Sequence, residues 1–167
     1  MTLFEVLTAA RQRIDRLDAR LLLQYATGCS HTDLLARPET PVSAPACAQF
    51  AEWVARRATG EPLAYIVGEV EFRGRVFQVS PAVLIPRPET EVLIDLALEK
   101  LAGLANPKIL DLGTGSGIVA ISLALECPRA AVVAVDLSLE AISVARNNAG
   151  RLGANVDFRQ GDWFSPV

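Results

Sequence analysis

Residues 109–117 read Ile109-Leu110-Asp111-Leu112-Gly113-Thr114-Gly115-Ser116-Gly117, and their reading decides the fold. A short apolar run ends beside an acid and passes into three glycines at alternate positions. Glycine accepts backbone angles that other residues avoid, so such a run turns sharply and lets a ligand approach the main chain. After the turn, Ile118, Ile121 and Leu125 recur at helical spacing. Ala131-Val132-Val133-Ala134-Val135-Asp136 is then a second buried strand, and Ser138 caps a second helix. Val156-Asp157-Phe158 suggests a third strand. Strands that alternate with helices specify parallel βαβ units with right-handed crossovers, an α/β fold. The alternation reaches three strands by Val167, whereas an open doubly wound sheet usually has five or more. The reading therefore expects only the first part of such a domain.

The ends of these three strands carry the candidate chemistry. Ligands of open α/β sheets bind outside the carboxyl ends of the strands. Asp111 directly precedes the glycines. A carboxylate there repels a pyrophosphate held at a helix N-terminus and favours a cationic amino group, such as that of a methionine moiety. The spacing is Gly-x-Gly-x-Gly, and Ile118 follows where a dinucleotide motif wants a small residue. Asp136 closes the second strand at the position from which an acid accepts ribose hydroxyls. Asp162 and Trp163 follow the third strand, where an acid can accept from the adenine amine and an aromatic can pack on its ring. Each residue also has an ordinary role: a helix-dipole partner, a helix N-cap, a core aromatic. Their placement at three successive strand ends argues for a shared ligand.

Upstream the character changes. Thr2 and Glu5 form a capping box, and Leu3, Leu7, Ala10 and Ile14 follow at helical spacing. Leu17, Leu21 and Tyr25 suggest a second stripe, ended by Gly28. Ser43 caps a helix bearing Phe50, Trp53 and Val54. Residues 1–60 thus read as a small helical domain, with Arg11, Arg13, Arg16 and Arg20 as a solvated face that can meet a partner. Residues 61–85 read as a β-hairpin linker, with 63–67 and 76–79 as its arms and Arg73-Gly74 as its turn. Residues 86–167 form the third segment. Pro88 opens its first helix, whose apolar face is Val92, Leu93, Leu96, Ala97 and Leu101.

Composition narrows the class. Among 167 residues, 51% are hydrophobic, enough for a sizeable core, and the formal net charge is -3, which excludes a globally basic nucleic-acid-binding surface. Cys29, Cys47 and Cys127 are scattered and share the chain with one histidine, His31. No zinc or other metal site is expected, and isolated thiols fit a reducing compartment. Glu5 stands where a leader peptide would be basic, and no run of about 20 apolar residues occurs. The expectation is a cytoplasmic protein with no membrane partner.

These strand-end residues, together with Leu84-Ile85-Pro86-Arg87-Pro88-Glu89-Thr90-Glu91 and Asp162-Trp163-Phe164, resemble the HemK/PrmC family. Its members are protein-(glutamine-N(5)) methyltransferases that act on peptide-chain release factors. Leu63 to Gly68 and Glu71-Phe72 are similar to the family's linker. The resemblance implies an N-terminal helical bundle and β-hairpin linker, then a truncated Rossmann-like class I S-adenosylmethionine-dependent methyltransferase domain. It implies S-adenosyl-L-methionine as cofactor and release factors, through their Gly-Gly-Gln motif, as partners. By resemblance, Asp111, Gly113, Thr114, Gly115, Ser116, Gly117, Asp136, Asp162, Trp163 and Thr90 bind the cofactor, and Arg87 lines the substrate entrance. The family's catalytic Asn-Pro-Pro-Tyr segment is absent, so no catalytic residue is assigned and the chain alone is expected to be inactive.

Two alternatives stay open from the residues. One is an amino-methyltransferase of nucleic acid, against which the acidic balance counts; no direct nucleic-acid partner is expected. The other is a non-catalytic fragment that binds the cofactor or a partner. A nicotinamide dehydrogenase is disfavoured by Asp111.

Overall fold

The computed structural model describes residues 1–167 and divides into two compact units, Met1–Val67 and Gly68–Val167. The first unit is helical: α1 (Leu3–Ala10), α2 (Arg16–Thr27), α3 (His31–Ala36), α4 (Ala44–Ala58) and α5 (Leu63–Val67). Side chains satisfy the orphan amides at four of the helix starts. Thr2 and Glu5 form the expected capping box, Ser30 and Asp33 form another, and Asp15 and Ser43 cap α2 and α4. The core joins Leu3, Val6, Leu7 and Ala10 to Ala19, Leu22, Leu23, Leu34, Phe50, Val54 and Ile66. Arg57 crosses from α4 to Asp18 at 2.6 Å.

Three expectations need correction in and beside this unit. The buried stripe of α2 is Ala19, Leu22 and Leu23, while Leu17 and Tyr25 are exposed. Leucine at 17, 21, 22 and 23 permits two stripes, and packing against α4 selects one. Of the four arginines expected on a solvated face, Arg11, Arg13 and Arg16 are exposed, but Arg20 is half-buried, with Nη1 3.4 Å from His31 Nε2. Residues 63–67 form α5, not a strand, although their composition is β-prone. Ile66 is drawn into the helical core, which outweighs local propensity.

The second unit opens with an antiparallel hairpin, β1 (Glu69–Phe72) and β2 (Arg75–Gln78), turning at Arg73-Gly74 as expected. Its first arm therefore begins six residues later than the composition suggested. Arg73 (φ 49°) and Gly74 (φ 70°) both adopt positive φ, the pairing that a two-residue hairpin turn favours. Arg73 binds Asp95 at 2.7 Å and Glu126 at 3.1 Å, and Arg75 reaches the same Glu126 at 3.0 Å.

Next come α6 (Glu89–Leu101), β3 (Lys108–Leu112), α7 (Ile118–Glu126), β4 (Ala131–Asp136), α8 (Leu139–Leu152) and β5 (Asp157–Gln160). The strands form one parallel sheet in the order β3-β4-β5. Ile109, Val132, Ala134 and Phe158 share one face of it and pack with Ile94, Ile118, Ile121, Ile142 and Ala145 from the three helices. Leu110 and Val133, paired in register, lie on the other face, where Leu110 is exposed. In α6 the buried anchor is Ile94, while Val92, Leu93 and Leu96 face solvent. Of the apolar face expected for that helix, Ala97 and Leu101 do pack against the core, while Val92, Leu93 and Leu96 were placed on the wrong side.

Candidate functional site

A cleft of about 200 Å3 lies at the carboxyl ends of all three parallel strands. Leu112 ends β3 and Gly113 follows it, Val135, Asp136 and Leu137 come from the end of β4, and Gly161, Asp162 and Trp163 follow β5. Three stretches distant in sequence thus converge because parallel strands in register end together.

The glycine turn is built on backbone bonds to β4. The Gly113 and Thr114 amides both donate to the Val135 carbonyl, at 2.9 and 3.0 Å. Gly113 (φ 75°) and Gly115 (φ 56°) adopt left-handed angles, and a Cβ at either would meet no atom within 4 Å. Their outer faces are open to a ligand. Gly117 (φ 80°) is different: a Cβ there would lie 2.8 Å from Ile121 Cδ1 and 3.0 Å from Ala145 Cβ. Its glycine serves close packing of α8 against the turn.

Asp136 organises the cleft. Its Oδ2 accepts from the Gly115 amide at 2.8 Å, its Oδ1 from the Ser138 amide at 3.0 Å, and its carbonyl from the Gly161 amide at 3.0 Å. One residue therefore ties together the turns after β3, β4 and β5. Each carboxylate oxygen retains a lone pair for a further donor.

Asp111 is half-buried and does not line this cleft; its Oδ2 accepts from the Thr114 hydroxyl at 2.7 Å. Burial pushes its carboxyl above the ordinary range, the Thr114 hydroxyl pulls it back, and Asp136 adds repulsion. A cation close to Asp111 would relieve both unfavourable effects. Thr114 and Ser116 are themselves buried. Trp163 is 68% exposed with φ 46°, so it is not core: its ring stands free beside the cleft. Asp162 is exposed too, and its amide donates to Ser165 Oγ at 3.1 Å.

Thr90, in the first turn of α6, and Arg87, just before it, are not among the residues that line this cleft. The sequence reading also overlooked Leu112, Val135, Leu137 and Gly161, which wall it. Leu112 and Val135 looked like ordinary strand positions, and only strand register shows that they open onto the ligand side.

Known protein families match both units. The PrmC N-terminal domain matches residues 3–68, and a methyltransferase domain matches residues 104–166. The release factor glutamine methyltransferase of Bordetella pertussis is 48% identical over 154 residues, 92% of this chain and 57% of that protein. The chain belongs to the HemK/PrmC family. The protein of the same name from Koribacter versatilis is 48% identical over 161 residues, 96% of this chain and 58% of its own length. The Burkholderia pseudomallei protein is 46% identical over 160 residues. This HemK/PrmC chain thus spans a little over half the length of the curated relatives it matches. No helix is long and apolar enough to cross a membrane, and no group of acidic, histidine or cysteine residues could hold a metal.

Proposed function

We propose that this chain binds S-adenosyl-L-methionine at the strand-end cleft and forms the cofactor half of a protein-(glutamine-N(5)) methyltransferase. The substrate in this reading is the glutamine of the Gly-Gly-Gln motif in peptide-chain release factors. The observation that carries it is the Asp136 carboxylate, held by two backbone amides at the end of β4, between an open glycine turn and the free Trp163 ring. The family supports the same reading, since relatives 46–48% identical are named release factor glutamine methyltransferases.

The residues suit that cofactor. The free lone pairs of Asp136 accept from two vicinal ribose hydroxyls, and Trp163 offers its face to a purine, with Asp162 beside it as acceptor for the exocyclic amine. Gly113 and Gly115 leave room for the ligand to lie against the main chain. Asp111, raised by burial, favours a nearby ammonium group. Thr90 and Arg87 would serve at the methionine end and the substrate entrance. The bound group supplies an electrophilic methyl on a sulfonium, and no metal is needed.

An amide nitrogen is a weak nucleophile because its lone pair is delocalised into the carbonyl. The protein's task is thus to hold donor and acceptor in line, a contribution on the order of 7–11 kcal/mol. This chain's residues do that for the donor side only. Asn-Pro-Pro-Tyr, which by family resemblance positions the glutamine amide, does not occur among the 167 residues.

Calorimetric titration with S-adenosyl-L-methionine, and separately with NAD, tests this. Binding of the former alone, lost in Asp136→Ala, supports the reading. Binding of NAD alone overturns it, and binding of neither removes the claim that this chain forms a competent half-site.

A further inference from the structure

Asn148 is fully buried on α8, and the mechanism above does not use it. Its side chain makes three hydrogen bonds to main-chain groups. Oδ1 accepts from the Gln78 amide at 2.7 Å, and Nδ2 donates to the Gln78 carbonyl at 2.9 Å and to the Ser116 carbonyl at 2.9 Å. The first two bonds pair the carboxamide with the last residue of β2 as a neighbouring strand would. The third pins the last peptide of the glycine turn just before α7. Three positions earlier on the same helix, Ala145 sits against Gly117, leaving no room for a Cβ there. Side chains three apart on a helix share a face, so Ala145 and Asn148 form one contact surface behind the turn.

A buried carboxamide with all three bonds made is costly to disturb, since any loss strands main-chain groups away from water. We propose that Asn148 is a positioning residue for the ligand loop: it sets the Gly113–Gly117 conformation and couples it to the hairpin. The Asp136 bond to Gly115 holds the ligand side of the turn, and Asn148 holds its rear. The consequence for ligand affinity rests on the cofactor reading above; the consequence for loop order does not.

The test compares Asn148→Leu with Ile142→Val, a core substitution on the same helix that removes no hydrogen bond. Asn148→Ser serves if the leucine variant does not fold. Amide hydrogen exchange of the ligand-free chain is read by NMR at Gly115, Gly117 and Gln78 against the β4 amides. The expected result is at least tenfold faster exchange at those three sites than at β4 in the Asn148 variants, and uniform change in Ile142→Val. Exchange at Gly115 and Gly117 that rises no more than in β4 overturns the proposal. Titration with S-adenosyl-L-methionine gives the second readout, with at least tenfold weaker binding expected for the Asn148 variants and none of that loss for Ile142→Val. Wild-type chain that binds no S-adenosyl-L-methionine would remove the half-site claim above while the exchange data still decide the role of Asn148.

Discussion

The Asp136 carboxylate accepts the Gly115 amide hydrogen at 2.8 Å, so the acid that ends β4 holds the turn that follows β3. Asp136→Ala removes this bond and the one to Ser138, as well as the acceptors for a ribose. Hydrogen bonds to a charged group are worth about 1.5–3 kcal/mol each. Ligand affinity should fall at least tenfold by calorimetry, with a smaller loss in Asp136→Asn, which keeps one oxygen.

Trp163 separates ligand binding from folding. Its ring is 68% exposed, so Trp163→Ala should change stability by no more than about 0.5 kcal/mol. Stacking of a base on an aromatic ring is worth about 1–3 kcal/mol. Affinity for adenosine should therefore drop about 5- to 160-fold, measured by titration beside a urea unfolding curve. Unchanged affinity would remove Trp163 from the site.

Two glycines four positions apart should respond differently to alanine. At Gly113 only the left-handed φ matters, a cost of about 1–2 kcal/mol. At Gly117 the same strain combines with a Cβ at 2.8 Å from Ile121 and 3.0 Å from Ala145, for a total of about 2–4 kcal/mol. Chemical denaturation of the two variants should rank them in that order.

Asp111 predicts a pH dependence. Its folded-state pKa lies above the ordinary 3.8, so the folded chain favours the protonated acid. That contribution is complete below the unfolded pKa and is lost as pH rises through the folded one. Asp111→Asn keeps an oxygen for the Thr114 hydroxyl without the buried charge. It should unfold at higher temperature than wild type at pH 7, and the advantage should vanish by pH 3.

Glu126 has the opposite sign. Hydrogen bonds from Arg73 and then Arg75 outweigh its burial and hold its carboxyl below the usual 4.5. Its stabilisation is present above that value and is lost as pH falls through the folded-state pKa. Arg73→Gln should destabilise the chain by about 1–3 kcal/mol at pH 7 and flatten its acid unfolding below pH 4.5. An unaltered acid limb would show that the cluster contributes nothing to folding.

The alternation of strand and helix from residue 107 onward was legible in the sequence because short apolar runs at 109–112 and 131–135 are each followed by residues at helical spacing. Asp111, Asp136 and Trp163 could be singled out because they stand at three successive strand ends, where open α/β sheets bind their ligands. The face of α2 and α6 was not legible. Both helices carry leucine or valine on more than one side, and only the neighbours available in the fold decide that Ala19 and Ile94 turn inward. Residues 63–67 were misread because local β propensity is weak against the burial of Ile66. Asn148 gave no signal at all. A lone asparagine on a helix looks solvated, and the main-chain groups it binds lie 70 and 32 residues away in sequence, brought together only by tertiary folding.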